Sequence, residues 1–338
     1  MRGSGAPPRL RSSRHARPVY GATSRWPLAR AGAAGRRGGA PLPRTGVPPG
    51  HEEAATIVCI VLAGCTLLCG VRMTSRIAAL VLVVACARAA VAAETARQIL
   101  DRRKALEDTT QHWNDRHQRM KMRIIDHRGG ERVRELEVYD RRESGDERKT
   151  ILFFLTPAEV KGTGFLAFTH TGRPADQWLY LPELQRVRQI TARTRNESFV
   201  GTDLSYHDLD LLQEMPSWSE ADATSKLRAD ETLSGVTTHV IELTPQREDI
   251  GYHRIVLWLG TDDLVPRRLE FYEDGDAPKK RLDQSEVRAI GPIPTPEHIE
   301  VETPGSGTKT VIDIDDVQFN QNLDADLFSQ RYLERGER

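Results

Sequence analysis

The order of apolar and polar positions divides the chain before any motif is sought. Residues 2–50 are rich in Arg, Pro, Gly and Ala and show no apolar periodicity, so they bury too little surface to offset the entropy of ordering. An uncharged apolar run follows over 54–71, of marginal length for a membrane span. From Glu94 to Glu107, Ala96, Ile99, Leu100 and Leu106 form a stripe among charged residues, which predicts an amphipathic helix. The period then changes from 3.6 to 2. Met120, Met122 and Ile124 alternate with Arg119, Lys121 and Arg123, the pattern of a half-buried strand. Further strands are predicted at 131–139, 149–155, 164–169, 177–181, 185–190, 225–233, 236–243, 251–259, 265–273, 280–289, 297–302 and 308–317, most separated by Gly, Pro, Asn or Asp. Short helices are predicted around Asp208–Glu214 and Asp324–Leu333. Many strands at short spacing, without long helices between them, predict an antiparallel meander.

Some of these strands do not alternate. Ile312 and Ile314 alternate with Asp313 and Asp315, but the runs 151–155, 165–168 and 255–259 are apolar on both faces. Two apolar faces in an antiparallel sheet require a cover on each. One cover can be the terminal helices. The other is a second apolar layer, a partner or a hollow, and a sheet curved round an apolar hollow suits a hydrocarbon ligand. Ordinary filling of that hollow by the protein's own side chains is the competing reading.

Charge sharpens the division. Lys+Arg and Asp+Glu are both 48 overall, but residues 1–93 contain 13 Arg, no Lys and only Glu52 and Glu53. The remainder has 48 − 13 = 35 basic and 48 − 2 = 46 acidic residues, a formal charge of −11, which disfavours nucleic acid as a partner. All four cysteines, Cys59, Cys65, Cys69 and Cys86, precede residue 94. The remainder therefore has no disulfide, thiolate metal site or cysteine nucleophile.

Within the leader, Met73-Thr-Ser-Arg76 is a basic start, 77–87 an apolar core, and Ala90-Val91-Ala92 a small-x-small cleavage signal. We read Met73 as the start of translation, 73–93 as a cleaved signal peptide, 1–72 as an over-extended N-terminus and 94–338 as the exported domain. The residues leave other readings open: a lipid anchor at the lipobox-like Leu62-Ala63-Gly64-Cys65 or at Cys86, or an N-terminal anchor through 54–71.

Catalytic signatures are missing. There is no phosphate loop, nucleophile elbow or His-Glu-x-x-His helix, so no enzyme activity, metal or cofactor is predicted. The densest acidic cluster, Asp203, Asp208 and Asp210 with His207, could serve acid–base chemistry, but Asp203 stands where a helix cap is wanted. Arg186, Arg188, Arg193 and Arg195 could meet lipid headgroups or form the wet face of a strand.

A family resemblance emerges over 157–213. The blocks Lys161-Gly162-Thr163-Gly164-Phe165-Leu166, Gln177-Trp178-Leu179-Tyr180-Leu181-Pro182, Arg186-Val187-Arg188, and 198–209 with Phe199, Gly201, Asp203, Tyr206 and Asp208 resemble the outer-membrane lipoprotein-sorting proteins of the LolA/LolB-like carrier superfamily. Asp316-Val-Gln-Phe319 and 323–328 are similar to that family's last strand and closing helix. The resemblance implies an α+β fold, a curved antiparallel sheet forming a half-open barrel with helices over its concave face. It implies a monomeric periplasmic carrier that shields acyl chains of a lipid or lipoprotein cargo on the way to the outer membrane, and an inner-membrane exporter of the resistance–nodulation–division type as a partner. A non-catalytic accessory module of such an exporter is the alternative, and a secreted hydrolase using Asp203, His207 and Asp208 the remoter one. Aromatic and aliphatic residues of the non-alternating strands are the expected cavity lining: Phe153, Leu155, Phe165 and Phe168, with Trp178, Tyr180 and Trp258. Gly162, Gly164 and Gly201 are expected in turns or bulges, and Pro182 at a strand end.

Overall fold

The computed structural model describes residues 94–336. The expected signal peptide and translation start, the lipobox-like cysteines and the 54–71 run fall outside the described residues. Among the described residues no helix is long and apolar enough to cross a membrane.

The helical stripe folds as α1 (Ala96–Asp108), started by a capping box in which Thr95 accepts from the Gln98 N–H. Five strands follow: β1 (Asp115–Ile125), β2 (Glu131–Arg142), β3 (Arg148–Thr156), β4 (Gly164–Thr169) and β5 (Asp176–Leu181). A single 3-10 turn at Pro182–Leu184 leads into β6 (Arg186–Ile190). A loop and α2 (Tyr206–Glu214) interrupt the meander. It resumes with β7 (Ala223–Leu227), β8 (Glu231–Leu233), β9 (Val236–Pro245), β10 (Arg254–Gly260) and β11 (Pro266–Tyr272). Long hairpins close it: β12 (Lys280–Ile290), β13 (Ile293–Thr303) and β14 (Thr308–Phe319), before a last helix α3 (Gln330–Arg335). The predicted strand 225–233 is two strands. A break at 228–230 lets β7 and β8 pair separately with β9.

The strands form one antiparallel sheet of 14, ordered β6-β5-β4-β3-β2-β1-β14-β13-β12-β11-β10-β9-β7, with β8 beside β9. β14 pairs with β1 (Met122 opposite Ile312), so the chain's last strand joins its two halves. β6 and β7 do not pair, and the curved sheet stays half-open.

The inner face carries Met120, Met122, Leu136, Leu152 and Phe165 on the β1–β5 side, and Leu243, Leu257, Leu269, Leu282 and Val301 on the β9–β13 side. α1 and α2 lie over it, and Leu209 of α2 packs against both sides. The outer face of β3–β5 is apolar too, and α3 covers it. Ile151, Phe153 and Leu166 are buried there with Phe328 and Leu333. On the other half, Val240, Val256, Trp258 and Tyr272 form a smaller outer cluster beside Leu233 of β8. The two-faced strands thus owe their second apolar face to the chain's own α3 and β8. Helices lie on both sides of the sheet and not only in the hollow.

Gly164 shows how closely α3 sits. It is a β4 residue opposite Tyr180 on one side and Phe153 on the other, not a turn or bulge. A Cβ there would stand 2.7 Å from Leu333 Cδ1 and 2.9 Å from Phe153 Cε1. The expected turn role holds for Gly162, with φ of 79° between β3 and β4. Gly164→Ala should therefore lower stability by about 1–3 kcal/mol through overpacking, read as a lower denaturation midpoint. Leu333→Ala in the same chain should return part of that loss.

Candidate functional site

The hollow is held open by an internal strut. The loop before α2 and the helix itself reach from β5 across the inner face to the far strands. Ser205 caps α2: its hydroxyl accepts from the Asp208 N–H at 3.1 Å, while Asp208 Oδ2 takes the Ser205 N–H at 2.7 Å. Asp208 also receives Lys280 Nζ from β12 at Oδ2, and Tyr252 Oη at Oδ1 at 2.7 Å. Burial alone would push this carboxyl up, but Lys280 and these hydrogen bonds hold it below its ordinary value. The same burial and the adjacent Asp208 charge push the Tyr252 phenol up.

Asp203 is not the cap. Its carboxylate accepts from Thr303 Oγ1 at 2.8 Å, Thr310 Oγ1 at 2.8 Å and Thr308 Oγ1, all on the β13–β14 hairpin. His207 sits between the Ile250 carbonyl, 2.6 Å from Nε2, and Arg195. Burial lowers its pKa, opposed by that carbonyl contact. Asp203, His207 and Asp208 each face a different partner, so they do not form one reactive group. Asp210 is buried beside Glu214, and burial raises its carboxyl to about 6 against the lowering effect of the Ala175 N–H at 2.9 Å.

The family blocks serve this strut. Phe199 packs edge-on to Phe165 (5.3 Å between centroids) and Tyr206 (5.6 Å), and Gly201 turns with φ of 80°. Gly162, at the β3–β4 turn, lies against Pro182, whose Cγ would be 3.3 Å from an added Cβ. Arg186 begins the edge strand β6 and is exposed.

Between α1, α2 and the strands is a cavity of about 430 Å³, within the roughly 300–1,000 Å³ of small-molecule sites. Residues from β1 to β3 and from β7 to β14 line the same space, which only a concave face allows. Its walls are apolar over most of their extent: Leu100 of α1, Leu212 of α2, and Leu257, Leu269, Leu282 and Val301 of the sheet. One end is different. Arg116, Arg142 and Arg148, on neighbouring strands β1, β2 and β3, gather round Trp113 with their guanidinium carbons 5.0, 4.7 and 5.7 Å from its ring centroid.

None of the seven residues expected to line the cavity does so. Phe153, Phe168, Trp178 and Tyr180 lie under α3 on the outer face. Phe165 faces inward but is sealed by Phe199 and Tyr206. Leu155 is half-buried at the end of β3. Trp258 is on the outer face, its indole N–H donating to Glu231 Oε2 at 2.9 Å. The apolar lining comes mainly from β9–β14 and the helices, and the arginines of β1–β3 complete it.

Residues 146–335, more than half of the chain, match a family model described as an uncharacterized protein family. Among solved structures, the chain is similar to a domain described as outer membrane lipoprotein-sorting from Vibrio parahaemolyticus: 26% identity, TM-score 0.63, over 70% of this chain and 97% of that one. It is similar to a DUF1329 family protein from Desulfovibrio piger at 25% identity and TM-score 0.65, over 71% and 100%. A LolA superfamily protein from Nitrosomonas europaea shares the fold at 21% identity and TM-score 0.53, over 71% and 100%. No curated protein matches.

Two outcomes test the strut. Asp208→Ala leaves Lys280 buried without a counter-charge and should cost about 3–5 kcal/mol in denaturant unfolding, whereas Asp208→Asn with Lys280→Met should cost clearly less than the sum of its single changes. Asp210 titrates higher in the folded chain than the roughly 3.9 of an unfolded aspartate. The folded state then holds more protons between about pH 4 and 6, so this group's contribution to stability falls as pH rises through that window. Asp210→Asn should remove that component of the stability–pH curve.

Proposed function

The chain belongs to the family whose model it matches over residues 146–335, and from its likeness in fold to a lipoprotein-sorting domain we propose that its exported domain is a non-catalytic carrier of the LolA-like kind that shields the acyl chains of a lipid or lipoprotein in the periplasm. The observation that carries the reading is the cavity of about 430 Å³ on the concave face, walled by aliphatic side chains and flanked by α1 and α2. Each methylene removed from water contributes about 0.8 kcal/mol, so ten buried methylenes of a tail contribute roughly 8 kcal/mol. Leucine, valine and methionine walls give non-directional contacts, which suit tails that differ in length more than in chemistry.

The engagement of Asp203, His207 and Asp208 in separate structural contacts supports a carrier over a hydrolase. The lipoprotein-sorting description of the Vibrio relative supports the outer membrane as the destination. Delivery by an inner-membrane exporter fits the same scheme, with the edge strands β6 and β7 free to meet a partner. The apolar residues on the outer face of β3–β5, Phe153, Phe168, Trp178 and Tyr180 with them, serve in this scheme to seat α3.

The test is occupancy. The purified protein should displace a fluorescent fatty-acyl probe from water and carry lipid through purification, detected by mass spectrometry of the extract. Leu212→Trp, which fills the cavity from α2, should weaken probe binding at least about tenfold, a change of about 1.4 kcal/mol, with the melting temperature little changed. A protein that neither takes up the probe nor retains lipid is not a carrier.

A further inference from the structure

The apolar walls account for most of the cavity but not for the arginines at its Trp113 end. Arg142 and Arg148 stand directly opposite each other across the β2–β3 pair, an arrangement in which like charges destabilise a sheet. Arg116 lies on the same inner face, one strand further on, opposite Asp140.

The neutralising partners near this group are already engaged. Asp140 is held by Arg116 at 2.7 Å and by the Thr150 hydroxyl at 2.7 Å. Glu107 pairs with Arg103 at 2.6 Å. Asp108 binds Lys104 and is 3.7 Å from Arg142 Nη1, and Asp146 pairs with Lys104. Arg142, with a side chain only 12% exposed, has a buried Nε without a hydrogen-bond partner. Among the described residues the Arg148 side chain makes no hydrogen bond or ion pair, and its guanidinium carbon stands 5.7 Å from the Trp113 ring centroid. Desolvation, and next the neighbouring Arg142 charge, lower its pKa to about 10. A guanidinium fork is matched to the paired oxygens of carboxylates and phosphates. Three such forks converging on one pocket end carry more positive charge than their surroundings balance.

Resting on the carrier reading above, we propose that the Trp113 end of the cavity binds the anionic headgroup of an amphiphile, a carboxylate or phosphate held by Arg142 and Arg148, while its tail lies among the leucines. The aliphatic wall and the arginine end line one continuous space, so a single molecule meets both. The site thus favours acidic amphiphiles over neutral ones of equal chain length, and the domain's overall negative charge does not reach into it as a free carboxylate.

The experiment compares matched ligands on the purified protein by displacement of one fluorescent acyl probe. The pairs are palmitate against palmitoyl methyl ester, and lysophosphatidic acid against a monoacylglycerol of the same chain. The acidic member should bind roughly tenfold or more tightly in each pair, and added salt should narrow the gap. Inorganic phosphate alone should compete only weakly, since it lacks the tail; strong competition would identify a free-anion site and overturn the amphiphile. Arg148→Gln and Arg142→Gln should each shrink the ratio to a few-fold, and Arg148→Lys should restore part of it, with circular dichroism checking that each variant is folded. Equal affinity for acidic and neutral ligands overturns the headgroup site and leaves the carrier reading standing. Failure to bind any of the four overturns both.

Discussion

The carboxylate of Asp208 is the contact on which the interior depends. It closes the capping box of α2, receives the ammonium of Lys280 from β12 and the phenol of Tyr252, and is buried while doing so. These three tasks tie a helix that begins beside β5 to strands on the opposite half of the sheet. Coulombic attraction of a buried pair is strong but is offset by the cost of removing both charges from water. Its value here is positional, because it fixes where α2 crosses the hollow. Asp203 repeats the arrangement with neutral partners, gripping the β13–β14 hairpin through three threonine hydroxyls. The segment 198–209, in which the family resemblance was densest, is therefore a brace whose polar side chains are each engaged in a separate structural contact.

Once α2 is fixed, the cavity follows from what the brace leaves unfilled. Phe199, Tyr206 and Phe165 pack the β3–β5 side of the inner face. Leu209 and Leu212 pack toward the β9–β13 side and line the space that remains there. A curved sheet lets both flanks contribute to one wall without closing on itself.

Most of the architecture could be read from period alone. Met120, Met122 and Ile124 are buried as their alternation predicts, and α1 spans nearly the stretch its stripe marked. The site was less legible because periodicity reports that a residue is buried and not on which side. Phe153 and Phe154 are both fully buried, yet one faces α3 and the other the interior. Treating doubly apolar strands as the sign of a hollow put Phe153, Phe168, Trp178 and Tyr180 on the inner face, whereas their cover is the chain's own C-terminal segment. The arginine group was illegible for another reason. Arg116 lies 26 positions before Arg142 along the chain, and only strand register brings both beside Arg148. The pair Arg142 and Arg148 flanking the turn at Gly145 was the one local hint.

The unpaired edges of the sheet have a mechanical meaning. A barrel sealed by hydrogen bonds around its whole circumference has its girth set by strand number and stagger. Here β6 and β7 end the sheet without meeting, and arginines and a lysine at Arg186, Arg188 and Lys226 guard those rims against stray pairing. The girth is then a soft coordinate. The two flanks can spread or approach by small changes in twist without breaking a ladder bond between β6 and β7.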